Sequence, residues 1–196
     1  MQQQGWLQIS TEGFASFNKD RPKQHLVKEL VQNAFDAIGD SQGSVELEYW
    51  REGNEVILQC RDSGSGVYDL SAMRVVYLTF KQDSHLRRGR FGRGFKEILS
   101  VAEWAAVLSG GRQIIFGTEN GEKVSQLEAA TDDTDGTIVQ MGFKWSDEEI
   151  ADFDSYFESF LVPQNISFKL NGRTLAWREP AYRIDAQLTT EIYFPD

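Results

Sequence analysis

A single cysteine, Cys60, is the chain's only thiol. It has no partner within the chain, so a disulfide framework and a thiolate-cluster metal site are both excluded. Only four of the 196 residues are proline, and no proline-rich linker marks a cut between domains. Long apolar runs are also missing. Trp104 to Leu108 is among the longest, far short of the ~20 residues that cross a bilayer. The opening residues, Met1 to Gly5, carry no basic or apolar stretch, so a secretory leader is not expected. Positive charge is scarce, with 20 Lys and Arg against 30 Asp and Glu. The resulting net charge of −10 repels nucleic acid and anionic membrane over most of the surface. A cytoplasmic chain without a membrane partner fits these absences.

What is present supports one domain over residues 1–196. With 40% hydrophobic and 12% aromatic residues, the chain buries enough surface to fold. The few basic residues are concentrated: Lys81, Arg87, Arg88, Arg90, Arg93 and Lys96 share one stretch with Asp83 as its only acid. A local anionic ligand and a solvated basic loop both fit that island.

Apolar residues at Leu26, Val27, Leu30, Val31, Ala34, Phe35 and Ile38 recur at helical spacing, and Gly39 closes the run. Val45 to Trp50 and Val56 to Cys60 read as paired strands. A short helix is expected over Leu70 to Leu78, with Asp69 or Ser71 at its start, and another from Gly94 to Glu103. Ala105–Leu108, Gln113–Phe116, Val124–Leu127 and Thr137–Phe143 then read as strands, punctuated by Gly110-Gly111, Asn120-Gly121 and Asp135-Gly136. Ser146 with Glu149 forms a capping box before a further helix. Asn171-Gly172 joins a last hairpin, Ile166–Leu170 with Thr174–Trp177. The order predicts an α+β fold, a sandwich with helices over one face of a sheet, and lacks the strand–helix alternation of a doubly wound one.

Three polar patterns carry chemistry. Glu29, Asn33 and Asp36 fall on one stripe of the first long helix, without a cation in line; taken alone, the stripe fits a solvated face better than a site. Asp62, Gly64 and Gly66 follow a strand directly. A carboxylate there can accept from an exocyclic amine, and glycines admit a flat ligand, although an ordinary glycine-rich turn has the same composition. Gly89, Gly92 and Gly94 lead into a helix, whose exposed N–H groups and dipole favour phosphate. The dinucleotide fingerprint requires a preceding strand and the P-loop a Gly-Lys-Ser/Thr, and neither is present. His25 and His85 have no cysteine neighbours to make a zinc site. Cys60 and the scattered tryptophans read as packing residues.

In order and spacing, Glu29 with Asn33, Asp36 and Ala37, then Asp62 with Gly64 and Gly66, then Gly89 with Gly92 and Gly94, then Asp135, Gly136 and Thr137 resemble the four boxes of the GHKL ATPases. The resemblance spans Leu26 to Phe143. The Asp36-Ala37 ending is most like the Hsp90, MutL, MORC and type II topoisomerase branch. It implies a two-layer α/β sandwich, the Bergerat ATP-binding fold, with a mixed sheet and a lid at about 79–91. By the same resemblance Glu29 is the general base toward water, and Asn33 offers an oxygen to Mg²⁺. Asp62 accepts from the adenine amine beside Gly64 and Gly66, with Thr137 in the same polar network. Gly92, Gly94 and Phe95 present N–H groups to the phosphates, Lys81 neutralises their charge, and Asp36 braces the pocket. The implied ligands are ATP and ADP, with ATP-dependent homodimerisation in a longer protein and a client that is protein or DNA. A histidine-kinase-type catalytic domain and a non-catalytic module with a basic lid are the alternatives. Related proteins carry a second domain with a γ-phosphate lysine, so this chain is expected to be the N-terminal part of a longer one.

Overall fold

The structure, a computed structural model, describes residues 10–75, 94–131 and 134–179. Two helices come first, α1 (Thr11–Asn18) and α2 (Lys23–Ile38). The apolar stripe of α2 is buried along its whole length, from Leu26 to Ile38. Gly39 ends the helix at φ 62°, donating its N–H to Phe35 O. Helix α1 was not foreseen, and a local cap and one buried side chain hold it. Ser10 Oγ accepts from Gly13 N, while Asn18 Nδ2 donates to Phe14 O at 2.9 Å and to Ser100 Oγ at 3.3 Å.

Strands β1 (Gly43–Glu52) and β2 (Glu55–Asp62) form the expected hairpin. The helix expected over Leu70–Leu78 is a shorter 3-10 turn, Leu70–Arg74, capped by Asp69, whose side chain accepts from Ser71 N. Val75 is extended and ends the turn, and the rest of the expected helix, 76–78, lies outside the described residues. Helix α3 (Gly94–Val101) leads into β3 (Trp104–Ser109), β4 (Arg112–Glu119), β5 (Glu122–Ala129) and β6 (Thr137–Phe143). The helix after Ser146 is two short pieces, α4 (Asp147–Ile150) and α5 (Phe153–Glu158), and the capping box is present at its start. Strands β7 (Ile166–Leu170) and β8 (Arg173–Leu175) follow. Asn120-Gly121 and Asn171-Gly172 both take positive φ at each central residue, as two-residue hairpins of this twist require.

The eight strands run in the order β5-β4-β3-β6-β2-β1-β7-β8. Among the described strands, only β1 with β7 is parallel, so the sheet is mixed. The register explains where the core sits. Leu47 pairs with Cys60, Cys60 with Val139 and Val139 with Val107, making one buried apolar row across four strands. Leu58, Met141 and Ala105 make the next. Helix α2 packs on β1, β2 and α3 over these rows, and Phe35 meets Phe168 edge to face at 5.6 Å. The other face carries polar pairs such as Glu46 with Arg61 and Glu48 with Gln59. Among the described residues, no helix is long and apolar enough to cross a membrane.

Candidate functional site

One row further along the covered face, the chemistry changes. Asp62 ends β2 and Thr137 begins β6, and the two are register partners, so their side chains lie side by side on the same face. Both are buried, at 7% and 6% exposure, where the rows behind them are apolar. Asp62 Oδ1 accepts from Gly64 N at 2.8 Å, an Asx turn that folds the glycine loop back over the strand end. Burying a carboxylate and a hydroxyl at the end of an otherwise apolar sheet face is costly unless both are hydrogen-bonded.

The loop is held from two sides. Ser65 N donates to Ala37 O at 3.1 Å, tying it to the last turn of α2. A Cβ on Gly64 would stand 2.6 Å from the Ala37 carbonyl carbon, so glycine is required there by the approach of the helix. On the opposite side, Ser109 at the end of β3 is 2% exposed. Its hydroxyl donates to Gly136 O and accepts from Val67 N, each at 2.8 Å. Ser109 also lies 2.7 Å from where a Cβ on Gly66 would stand. This serine, missed in the sequence, links the glycine loop, the turn before β6 and the end of β3. Its only sequence signal is a polar residue closing an apolar strand before Gly110-Gly111.

Gly136 is the tightest point of the site. It sits at φ 84°, and an added Cβ would fall 2.1 Å from the backbone oxygen of Asp62. Gly136→Ala therefore combines left-handed strain with a backbone clash. It should cost about 2–4 kcal/mol of stability. Gly53→Ala, at φ 57° with nothing within 4 Å, adds strain alone, and should cost only ~1–2 kcal/mol. Chemical denaturation of the two variants checks this: equal losses would mean that the close contact is unimportant.

The second part of the site lies two turns up α2. Glu29 and Asn33 are half-buried and Asp36 is buried, so the polar stripe is not a solvated face. Glu29 meets the start of α3, where a Cβ on Gly94 would stand 2.3 Å from Glu29 Oε2. Glycine is what allows the helix N-terminus to approach the carboxylate. Burial pushes the Glu29 carboxyl above its ordinary range; Lys28 opposes the shift, Glu97 adds to it and Arg21 opposes it. Glu97 is itself buried and ion-paired to Arg21. Phe95 is buried in the core, its ring 6.3 Å from that of Phe116.

Two clusters thus share α2 as a common wall. Asp62, Thr137 and the glycine loop lie against its last turn, and Glu29 with Gly94 lies seven residues earlier, ~10 Å along the axis. Lys81, Gly92 and the expected lid at 79–91 lie outside the described residues. No cluster of three or more His, Cys, Asp or Glu that could hold a metal ion occurs among the described residues.

Residues 18–146 match a family model described as the histidine kinase-, DNA gyrase B- and HSP90-like ATPase, and that span contains both clusters. The chain belongs to this family. No curated protein matches it in sequence. Solved structures do match, 376 chains in all. One is the ATPase region of Saccharomyces cerevisiae topoisomerase II bound to ICRF-187 (dexrazoxane), with 13% identity and a TM-score of 0.58. The likeness covers 80% of this chain and 49% of that one, so this chain spans about half the topoisomerase region. At that identity the match speaks for the fold, and the mixed eight-stranded sheet under helices is the GHKL architecture.

Proposed function

We propose that this GHKL domain binds ATP across the two clusters and hydrolyses it with Mg²⁺. The observation that carries the reading is the shared wall. A buried carboxylate with a folded glycine loop marks one end of α2, and a desolvated carboxylate against a helix N-terminus marks a point ~10 Å away. That layout suits a ligand with a flat hydrogen-bonding head and an anionic tail. Asp62, which folds the glycine loop by accepting from Gly64 N, would accept from the adenine amine, and Thr137 flanks it. The N–H groups opening α3 at Gly94 and Phe95 face the phosphates, where the helix dipole favours negative charge. Glu29 takes a proton from the attacking water as the water's oxygen bonds to the terminal phosphorus and the bond to the bridging oxygen breaks, releasing ADP and phosphate.

Asn33, one turn from Glu29, offers one neutral oxygen. That fits a magnesium ion which arrives with the phosphates and keeps several waters, a mode that needs no preformed carboxylate cage. Bound there, the ion would screen phosphate charge. Gly92 and Lys81 would add to the phosphate site by resemblance to the family. The half-buried Glu29 favours water over a histidine side chain as the phosphoryl acceptor.

In the wider proposal, nucleotide turnover drives a conformational or dimerisation switch in a longer cytoplasmic protein, acting on a protein or DNA client. A γ-phosphate lysine from a second domain would make the isolated chain slow, below the ~1–10³ s⁻¹ of typical enzymes. Calorimetry with Mg²⁺-ATP and a phosphate-release assay test this together. The expected result is saturable one-to-one binding with slow, Glu29-dependent release. Absence of binding would leave a non-catalytic module with a basic loop.

A further inference from the structure

A second concavity uses the other side of α3. Helical spacing places Lys96, Leu99 and Ser100 opposite the stripe of Gly94, Glu97 and Ile98 that faces α2 and the core. Those three residues form one wall of a cleft of about 260 Å³. Phe14 of α1, Met73 of the 3-10 turn and Phe116 of β4 are among its other apolar lining residues.

Charge in the cleft is opposite to that of the chain. Among the described residues, Arg74 and Lys123 at its rim and Lys96 in its wall line it with one acid, Glu103, which is ion-paired to Lys144 at 2.8 Å. The protein as a whole is at −10. Lys96 is buried in the wall, whereas Arg74 and Lys123 are exposed. Lys123 Nζ donates to Ala102 O at 2.8 Å, which uses one of an ammonium's three donors.

We infer that this cleft is a binding site for a small organic carboxylate with an apolar body. Its volume equals roughly nine water volumes, room for about eight to ten non-hydrogen atoms. The apolar side chains take the body, and Lys123 at the rim takes the single negative charge. A strongly hydrated phosphate dianion would lose more solvation against this lining than a monoanion does. Because α3 also carries Gly94 against Glu29, an occupant here shares a wall with the nucleotide site. That coupling rests on the ATP-binding reading, and the binding itself does not.

Sodium octanoate is the probe, titrated into the whole chain by calorimetry and by amide chemical shifts. Saturable binding is expected, with shifts at Phe14, Leu99 and Phe116. Lys123→Gln, an exposed edge-strand change whose fold is checked by circular dichroism, should weaken binding at least tenfold. Neutral 1-octanol and octyl phosphate should both bind more weakly. Failure to saturate at millimolar octanoate, equal binding of octanol, or an unaffected Lys123→Gln variant would each overturn the site. ATP affinity with and without octanoate reports the coupling: a shift supports it, and no shift overturns the coupling while the site stands. If ATP does not bind at all, the nucleotide reading fails and the octanoate result still decides this one.

Discussion

Asp62→Asn is expected to remove the preference for ATP over GTP and most of the affinity for ATP. The change is nearly isosteric, and the asparagine oxygen can keep the bond from Gly64 N that folds the loop. What changes is the second position, where an acceptor becomes an N–H₂ donor. Adenine presents an amine there and guanine a carbonyl, so the variant repels the first and suits the second. Losing a hydrogen bond to a charged group costs about 1.5–3 kcal/mol, roughly 10- to 150-fold in affinity. Calorimetric titration of parent and variant with both nucleotides measures it. Equal affinity of the parent for ATP and GTP would contradict the assignment, as would a variant that keeps the parent's preference.

Glu29→Gln should bind Mg²⁺-ATP nearly as the parent does and lose about 10²- to 10⁴-fold in turnover. Its pH dependence gives a second signature. The Glu29 carboxyl titrates above its ordinary 4.5 because burial disfavours the charge. A base must be deprotonated to act, so as pH falls through that raised value the rate should drop, at a higher pH than an exposed carboxylate would give. For stability the sign is opposite. A carboxyl whose folded pKa is raised contributes more to stability in its protonated form. Glu29→Gln should therefore fold at least as well as the parent at neutral pH. Parent-like turnover in the variant would place the activity elsewhere, and a destabilised variant would mean that Glu29 is held for packing.

Much of this was legible in the chain because local rules and tertiary demands agree. The stripe of α2 is amphipathic, Ser146 and Glu149 cap a helix, and the Asn-Gly turns have the φ values that hairpins require. The four motif boxes are likewise sequence features, and the family match over residues 18–146 contains the described ones. What was not legible depends on distant partners. Helix α1 has few apolar residues, leaves Phe17 68% exposed, and is fixed by Asn18 reaching Ser100 on α3. Ser109 looks like an ordinary strand end until the sheet order places β3 beside β6. In the sequence Gly64 reads as a glycine that admits a flat ligand, and Gly94 as one that opens a helix N-terminus to phosphate. Their neighbours show an additional reason, since Ala37 and Glu29 occupy the space a side chain would need. Lys96, counted in the basic island, is buried in the fold.

The central claim is that one ligand spans both ends of α2. Amide chemical-shift mapping during titration with Mg²⁺ and a non-hydrolysable ATP analogue tests it most directly. The account predicts saturable shifts at Asp62 to Gly66, at Gly136 and Thr137, and at Glu29, Asn33 and Gly94, all following one binding curve. Shifts confined to one of the two clusters, or gathered instead around Phe14, Leu99 and Phe116, would contradict it.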